Sequence, residues 1–359
     1  MKRILTLALA SALALPALAH AEKGSPLWLR HQQISPDGSQ IAFCYKGDIY
    51  TVPTAGGQAL RLTSNAAYDG TPIWSPDSRS LAFSSDREGS KDVYIVKADG
   101  SGLRRLTYSS EKEVPVAFLD GSTLLFQSYV MPDVKDGMYP WDWFVQTYSL
   151  DLSKTIARPK LYGAYPMLMP SLRGGEILYT DVKGYEDIWR KHAVSPVTRD
   201  IWLRSKDGKH TKLTTFGGED RNAVWDSKGG FYYLSEREGS FNVYHRDAAT
   251  AAAADKKITS FTKDPVRFLS IASNGTLCYG FDGEIYTQTP GGQPTKVNVS
   301  IVRDQEESAI NPETIRDGVS SFAVAPSNKE IAFIVHGDVF VTHTEYGTTK
   351  RLTSTPEEE

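Results

Sequence analysis

Ile34-Ser-Pro-Asp-Gly-Ser-Gln-Ile-Ala-Phe43 leads into Gly47-Asp-Ile-Tyr-Thr-Val52, then Gly56-Gly57, then Arg61-Leu-Thr63. The same succession returns as Trp74-Ser-Pro-Asp-Ser-Arg-Ser-Leu-Ala-Phe83, Asp92-Val-Tyr94, Asp99-Gly100 and Arg105-Leu-Thr107. Pro-Asp-Gly makes a tight turn, because proline fixes one dihedral and Asp followed by Gly tolerates a left-handed step. Ile-x-Phe and Asp-x-Tyr alternate with period two, so each strand has an apolar face. Five looser copies follow. They contain Asp120-Gly-Ser-Thr-Leu-Leu-Phe126, Gly175-Glu-Ile-Leu-Tyr179, Trp225-Asp-Ser-Lys-Gly229, Leu277-Cys-Tyr279 and Ile331-Ala-Phe333. Four short strands per unit describe a propeller blade, and a lone blade cannot bury both its faces. The expected fold is all-β: a β-propeller of four-stranded blades. A sandwich gives no reason for the same turn and strand chemistry to recur, and a β-helix needs a shorter coil.

The chain has 359 residues, 40% hydrophobic and 23% charged, with 40 basic and 43 acidic side chains. That balance excludes the basic field of a non-specific nucleic-acid binder. Met1 to Arg3 is positive, Ile4 to Leu18 is apolar, and Ala19-His20-Ala21 sets small residues where a signal peptidase reads. Residues 1–21 therefore read as a signal peptide, and the mature chain is expected to be periplasmic or secreted. No other run approaches the ~20 apolar residues of a membrane span. Cys44 and Cys278 both fall in second strands and read as buried small hydrophobes.

Two units carry long connections between their second and third strands: Tyr129 to Phe144 in the third and Asp181 to Thr198 in the fourth. Long connections on a rigid frame are where binding concentrates. Tyr139, Trp141, Trp143, Tyr185 and Trp189 are thus candidate contact residues, the alternative being that they cover a blade flank. Arg87 and Arg237 sit in the near-duplicates Asp86-Arg-Glu-Gly-Ser90 and Glu236-Arg-Glu-Gly-Ser240. They either face a central channel and bind an anionic terminus or tie a loop to the neighbouring blade.

Catalytic signatures do not emerge. Gly-x-Ser-x-Gly, His-Glu-x-x-His and Cys-x-x-Cys are missing, and the 7 histidines are scattered. Asp37, Asp77, Asp99, Asp120 and Asp207 recur in turns, and Asp48, Asp92, Asp200 and Asp338 recur before third strands. A carboxylate repeated in that way reads as structural. No catalytic residue, cofactor or metal is expected.

The Ser-Pro-Asp-Gly, Ile-Ala-Phe, Asp-Ile-Tyr and Leu-Thr modules resemble TolB and tricorn propeller repeats. Trp189-Arg-Lys-His192, Ser195-Pro-Val-Thr-Arg-Asp-Ile-Trp202 and Leu213-Thr-Thr-Phe-Gly-Gly-Glu-Asp-Arg-Asn222 look more specifically like the N-terminal half of exported tricorn-like serine peptidases. The resemblance implies a six-bladed propeller over residues 27–300, a linker at 301–318 and, over 319–359, the first blade of a second propeller. One closed seven-bladed ring is the alternative. The family's catalytic serine and histidine belong to a C-terminal protease domain, and none of its catalytic residues carries over to this sequence. The implied role is a peptide-gating or docking propeller, inactive as a peptidase by itself. Its expected partners are peptides or unfolded polypeptide, with a separate protease or an envelope protein as further candidates. A TolB-like envelope interaction module is the rival reading.

Overall fold

The computed structural model describes residues 26–129, 145–163, 165–184, 197–302 and 317–353. The leader expected at 1–21 lies outside them. Among the described residues there are seven four-stranded antiparallel sheets in a propeller-like arrangement, each with its strands in chain order, and one two-stranded pairing.

The first sheet comprises Arg30–Ile34, Gln40–Tyr45, Asp48–Pro53 and Leu60–Arg61. The second comprises Asp69–Trp74, Ser80–Ser85, Asp92–Lys97 and Arg104–Arg105. Glu113–Phe118, Thr123–Ser128, Gln146–Asp151 and Lys160–Gly163 make the third. Leu168–Arg173, Glu176–Thr180, Ile201–Arg204 and His210–Lys212 make the fourth. The fifth holds Asp220–Trp225, Phe231–Ser235, Asn242–Arg246 and Lys256–Lys257. The sixth holds Arg267–Ile271, Leu277–Phe281, Glu284–Gln288 and Thr295–Lys296. The seventh holds Val319–Val324, Glu330–Val335, Asp338–His343 and Thr349–Arg351.

The repeated residues have repeated bonds. In the first turn the Ser35 hydroxyl donates to Asp37, the Ser39 amide donates to Asp37, and the Gln40 amide donates to Ser35. Ser75, Asp77, Arg79 and Ser80 duplicate that set in the second sheet. The Ser35 and Ser75 hydroxyls hold the Asp37 and Asp77 carboxyls below their ordinary range. The Leu-Thr module closes the outer hairpin. The amides of Ile49, Val93, Ile201, Val243 and Val339 donate to the hydroxyls of Thr63, Thr107, Thr214, Thr259 and Thr353 at 2.8–3.0 Å. Ion pairs lie beside these bonds: Asp48 with Arg61 (2.6 Å), Asp92 with Arg105 (2.8 Å), Asp200 with Lys212 (2.7 Å) and Asp338 with Arg351 (2.5 Å). The acids before the third strands are structural, as expected.

Apolar side chains pack between sheets. Phe83, Leu81 and Tyr94 of the second sheet join Ala42, Cys44 and Ile49 of the first. Leu124, Phe126 and Tyr148 of the third join Ile73, Ala82 and Val93 of the second. Ile201 and Leu178 meet Phe231 and Tyr233, and Leu234 and Val243 meet Leu277 and Tyr279. The sixth sheet returns to the first, where Cys278, Ile285 and Val297 lie among Ile34, Ile41 and Phe43. Hydrogen bonds span that same boundary: Ile34 N to Ser270 Oγ (3.1 Å), Ser273 N to Pro36 O (2.8 Å) and Leu29 N to Gly283 O (2.9 Å). Val299–Ser300 also pairs in parallel with Gly57–Gln58. A Cβ on Gly56 (φ +87°) would lie 2.7 Å from the Asn298 carbonyl, so this approach requires glycine.

The first strands of the six sheets are neighbours in succession, and Arg30–Ile34 lies beside Arg267–Ile271. Each of these strands is interrupted by a register shift. In five of them a non-glycine residue has left-handed backbone there: His31, Thr71, Met169, Asn222 and Phe268. The seventh sheet differs. Val319–Val324 is exposed throughout, Phe322 is 70% exposed, and no residue of 319–353 joins a hydrophobic cluster. Cys44 and Cys278 are free thiols, and burial pushes both up to about 12.

Thr107→Val strands the buried Val93 amide and is expected to cost about 1–3 kcal/mol in urea unfolding. Hydrogen exchange is expected to be faster throughout 319–353 than in the central strands of the other sheets. Uniform protection through the seventh sheet would contradict its exposure.

Candidate functional site: the end that carries the long connections

Each sheet is an antiparallel meander, so the connections between second and third strands share one end with the starts of the first and third strands. The two long connections emerge there. A backbone bond repeats at this end: Asp69 N to Gly47 O (2.8 Å), Glu113 N to Lys91 O (2.7 Å) and Asp220 N to Arg199 O (3.0 Å). It sets the first acid of one sheet beside the third-strand acid of the sheet before. Tight Asp-Gly turns occupy the opposite end.

Arg87 folds onto its own sheet. Its guanidinium donates to both oxygens of Asp69 at 3.0 Å and to Ser85 Oγ at 2.8 Å, and lies 4.5 Å above the Tyr94 ring. Arg237 repeats this arrangement with Asp220, Ser235 (2.9 Å) and Tyr244 (4.8 Å), and adds Asp255. Both arginines are thus tied within one blade, where the sequence offered a channel-facing role or a bond to the next blade. Burial pushes Asp220 up to about 6 even with Arg237 beside it. Burial also raises Asp255, but hydrogen bonds from Arg246, Tyr233 and Arg237 outweigh it and hold that carboxyl at about 2. Tyr139, Trp141, Trp143, Tyr185 and Trp189 lie outside the described residues.

The flanks of the fourth sheet's connection are anchored. Asp181 accepts from the Asp200 amide (2.7 Å) and the Trp202 indole (2.9 Å), and Lys183 donates to Asp200 and the Thr198 carbonyl. Sequence reasoning missed the buried charges beside them. Arg199 and Arg221 both reach Glu219 Oε1 at 3.2 Å, the Glu219 amide donates to Glu236, and Arg221 lies 4.1 Å from the Phe241 ring.

It also missed Glu113, 1% exposed at the start of the third sheet. Among the described residues neither carboxyl oxygen meets a donor at full hydrogen-bonding geometry. Burial pushes Glu113 up to about 7 against the lowering pull of Thr107 and the Ser109 amide, and Asp92 adds a smaller rise. The signal was in the spacing: Asp69-x4-Trp74, Glu113-x4-Phe118 and Asp220-x4-Trp225 put the acid at one register.

Among the described residues the histidines stay apart. His31 meets Phe268 with ring centroids 4.7 Å apart, and burial, aided by Arg30 and Lys91, pulls it down to about 4. His245 pairs with Asp226 at 2.8 Å, and His210 with the Tyr179 hydroxyl at 2.8 Å. Among the described residues no three His, Cys, Asp or Glu side chains could hold a metal together, and no helix is long and apolar enough to cross a membrane. What this end offers is a concentration of buried, hydrogen-bonded charge where the long connections begin.

Residues 26–293 match the family model for the tricorn protease N-terminal β-propeller domain. The chain belongs to that family. It is 24% identical over 344 residues to tricorn protease homolog 1 of Streptomyces coelicolor, covering 93% of this chain and 30% of that protein. Putative tricorn protease homolog 2 of the same organism is 23% identical, with 94% and 28% covered. The crystal structure of the tricorn protease is similar in fold, with a TM-score of 0.64 at 18% identity over 92% of this chain and 32% of that one. The chain thus spans less than a third of the length of these two curated relatives.

Arg237→Ala leaves Asp220 buried without its cation and is expected to cost about 3–5 kcal/mol in urea unfolding. Glu113 binds its proton more tightly folded than unfolded, so its contribution to stability is full below its ordinary value and is lost as pH rises through about 7. The groups that act on it are Thr107, the Ser109 amide and Asp92, and Asp92 is paired with Arg105. Glu113→Gln is expected to gain stability over the parent as pH rises from 5 to 8, read as a widening difference in Tm.

Proposed function

We propose that this chain is a non-catalytic docking propeller of the tricorn type, which binds extended or unfolded polypeptide at the end bearing the long connections. In this reading residues 1–21 are removed on export and the mature chain acts in the periplasm or outside the cell. Residues 27–300 form six blades closed as one ring, 301–318 form a linker, and 319–359 form a blade that stands outside the ring. The contacts between the sixth and first sheets, together with the exposed seventh, favour six plus one over a seven-bladed ring.

One observation carries the docking role: the buried acids Asp69 and Asp220, paired with Arg87 and Arg237, lie at the same end of the sheets as the starts of two connections rich in Tyr and Trp. Buried pairs of this kind make a frame that holds adaptable loops in place while the sheets behind them stay fixed. A ring of this kind admits a partner by width and offers backbone edges to an extended chain. Gating for a protease chamber, on this chain or on a partner, is the finer form of the role. Arg87 and Arg237 act here as supports of the frame. The aromatic residues Tyr139, Trp141, Trp143, Tyr185 and Trp189 make the contacts.

The purified mature chain is expected to bind reduced, carboxymethylated casein in a fluorescence anisotropy titration and to leave it uncut. Replacing Trp141 and Trp143 together by Ala is expected to weaken binding about tenfold or more with Tm unchanged. Turnover of casein by a clean recombinant preparation, or binding indifferent to these tryptophans, would overturn the reading.

A further inference from the structure

One position of the third strand helps to close each joint between neighbouring sheets. It holds Ile49, Val93, Ile201, Val243 and Ile285 in the first, second, fourth, fifth and sixth sheets. All five side chains are fully buried, and each belongs to the apolar cluster that its sheet shares with the next. In the third sheet the position holds Thr147.

The rest of that face differs too. Leu124, Phe126, Tyr148 and Leu150 pack against the second sheet. Side chains alternate along a strand, so Leu125, Gln127, Thr147 and Ser149 make the face turned to the fourth sheet. Gln127 and Thr147 are buried there. The Gln127 amide donates to the Met167 carbonyl at 2.6 Å, and the Thr147 hydroxyl to the Tyr165 carbonyl at 3.5 Å. Opposite them Met167, Ile177 and Tyr179 form a cluster of their own, against which Tyr162, Tyr165 and Trp202 pack while only partly buried. Among the described residues no fully buried apolar cluster joins the third sheet to the fourth. Strand contacts agree. At the joints on either side, the second and third strands of one sheet also lie close to the first strand of the next, whereas here only the two first strands lie close.

We propose that the sheets part first between the third and the fourth, and that the opened seam takes up a segment of extended polypeptide between Gln127 and Thr147 on one wall and Tyr165, Tyr179 and Trp202 on the other. The uptake rests on the docking reading above; the opening does not. A joint that buries less apolar surface is held less firmly than its siblings, and local opening begins where such burial is least. The two walls suit an extended chain. Its backbone amides and carbonyls need partners, which amide and hydroxyl side chains supply, and its apolar side chains find ring faces opposite. The Tyr179 hydroxyl, bonded to His210 Nδ1 at 2.8 Å, adds a polar group to the aromatic wall. The seam also lies between the two sheets that carry the long connections. Only the open fraction binds, so closing the seam weakens apparent affinity in proportion.

Alkylation of buried thiols by iodoacetamide in the full mature chain reads the opening. Thr147→Cys is made together with Cys44→Ala and Cys278→Ala, and reports the seam. In the same background Ala82→Cys, Ala223→Cys and Val243→Cys report the joints between sheets two and three, four and five, and five and six. Cys44 and Cys278, each kept alone, report those between one and two and between six and one. Relative to its rate in urea, the thiol at 147 is expected to react about tenfold or more faster than any of the others. Equal protection at all six overturns the seam, whatever casein does. Thr147→Val, which gives the third sheet the kind of residue its siblings have, is expected to raise Tm and to weaken casein binding about threefold. A lowered Tm also overturns the seam, because the hydroxyl would then be holding the joint. A raised Tm with casein binding unchanged overturns the uptake. A parent chain that binds no casein overturns the docking reading and the uptake together, and the opening then stands or falls on alkylation.

Discussion

A four-stranded sheet with two apolar faces is stable only between two others, and that requirement organises the described molecule from Leu29 to Ile301. Phe43, Phe83, Phe126, Phe231 and Tyr279 are each fully buried against a neighbouring sheet. Fully burying a side chain of this size is worth about 1.5–3 kcal/mol. The first sheet finds its second neighbour in the sixth, through Cys278 and Ile285, and the parallel pairing of Val299–Ser300 with Gly57–Gln58 fastens the two. The seventh sheet has the same hairpins, the same Asp338–Arg351 pair and the same Thr353 hydroxyl bond, yet Phe322 and Val324 remain in water. Local chemistry makes a sheet, and only a neighbour makes it a blade.

The same molecule sorts its charges by depth. Turn carboxylates such as Asp37 and Asp77 lie near the surface, held by serine hydroxyls and backbone amides. Acids at the ends of the first and third strands are taken out of water, and most are matched by Arg or Lys. Breaking one such pair costs far more than making it gains. Buried ion pairs of this kind fix the geometry at one end of the sheets, where the long connections begin. Glu113 differs from Asp69 and Asp220: those two are paired with Arg87 and Arg237, and among the described residues no cation pairs with Glu113.

Much of the fold was legible in the residues. The alternation in Ile-Ala-Phe and Asp-Ile-Tyr gave strands that occur where expected, and Ser-Pro-Asp-Gly gave the turn with its hydroxyl-to-carboxylate bond. The acids at 48, 92, 200 and 338 were recognisable as structural by their recurrence alone. The site was less legible. Arg87 and Arg237 were visible as a duplicated pair, but which group each would meet depends on strands brought together by pairing, Asp69 with Ser85 and Asp220 with Ser235. Glu113 was not singled out, because the fixed spacing to Phe118 matters only once Trp74 and Trp225 are known to share its register.

The sequence by itself determined the repeating unit: its turns, its strands and the residues that close its outer hairpin. These rest on bonds between residues within about twenty positions of one another. The tertiary structure alone decided which sheet meets which, that both duplicated arginines are occupied within their own blades, and that Glu113 and Ser128 of the third blade are closed from solvent. Those outcomes depend on contacts across whole sheets and on burial, and neither is encoded in any short run of residues.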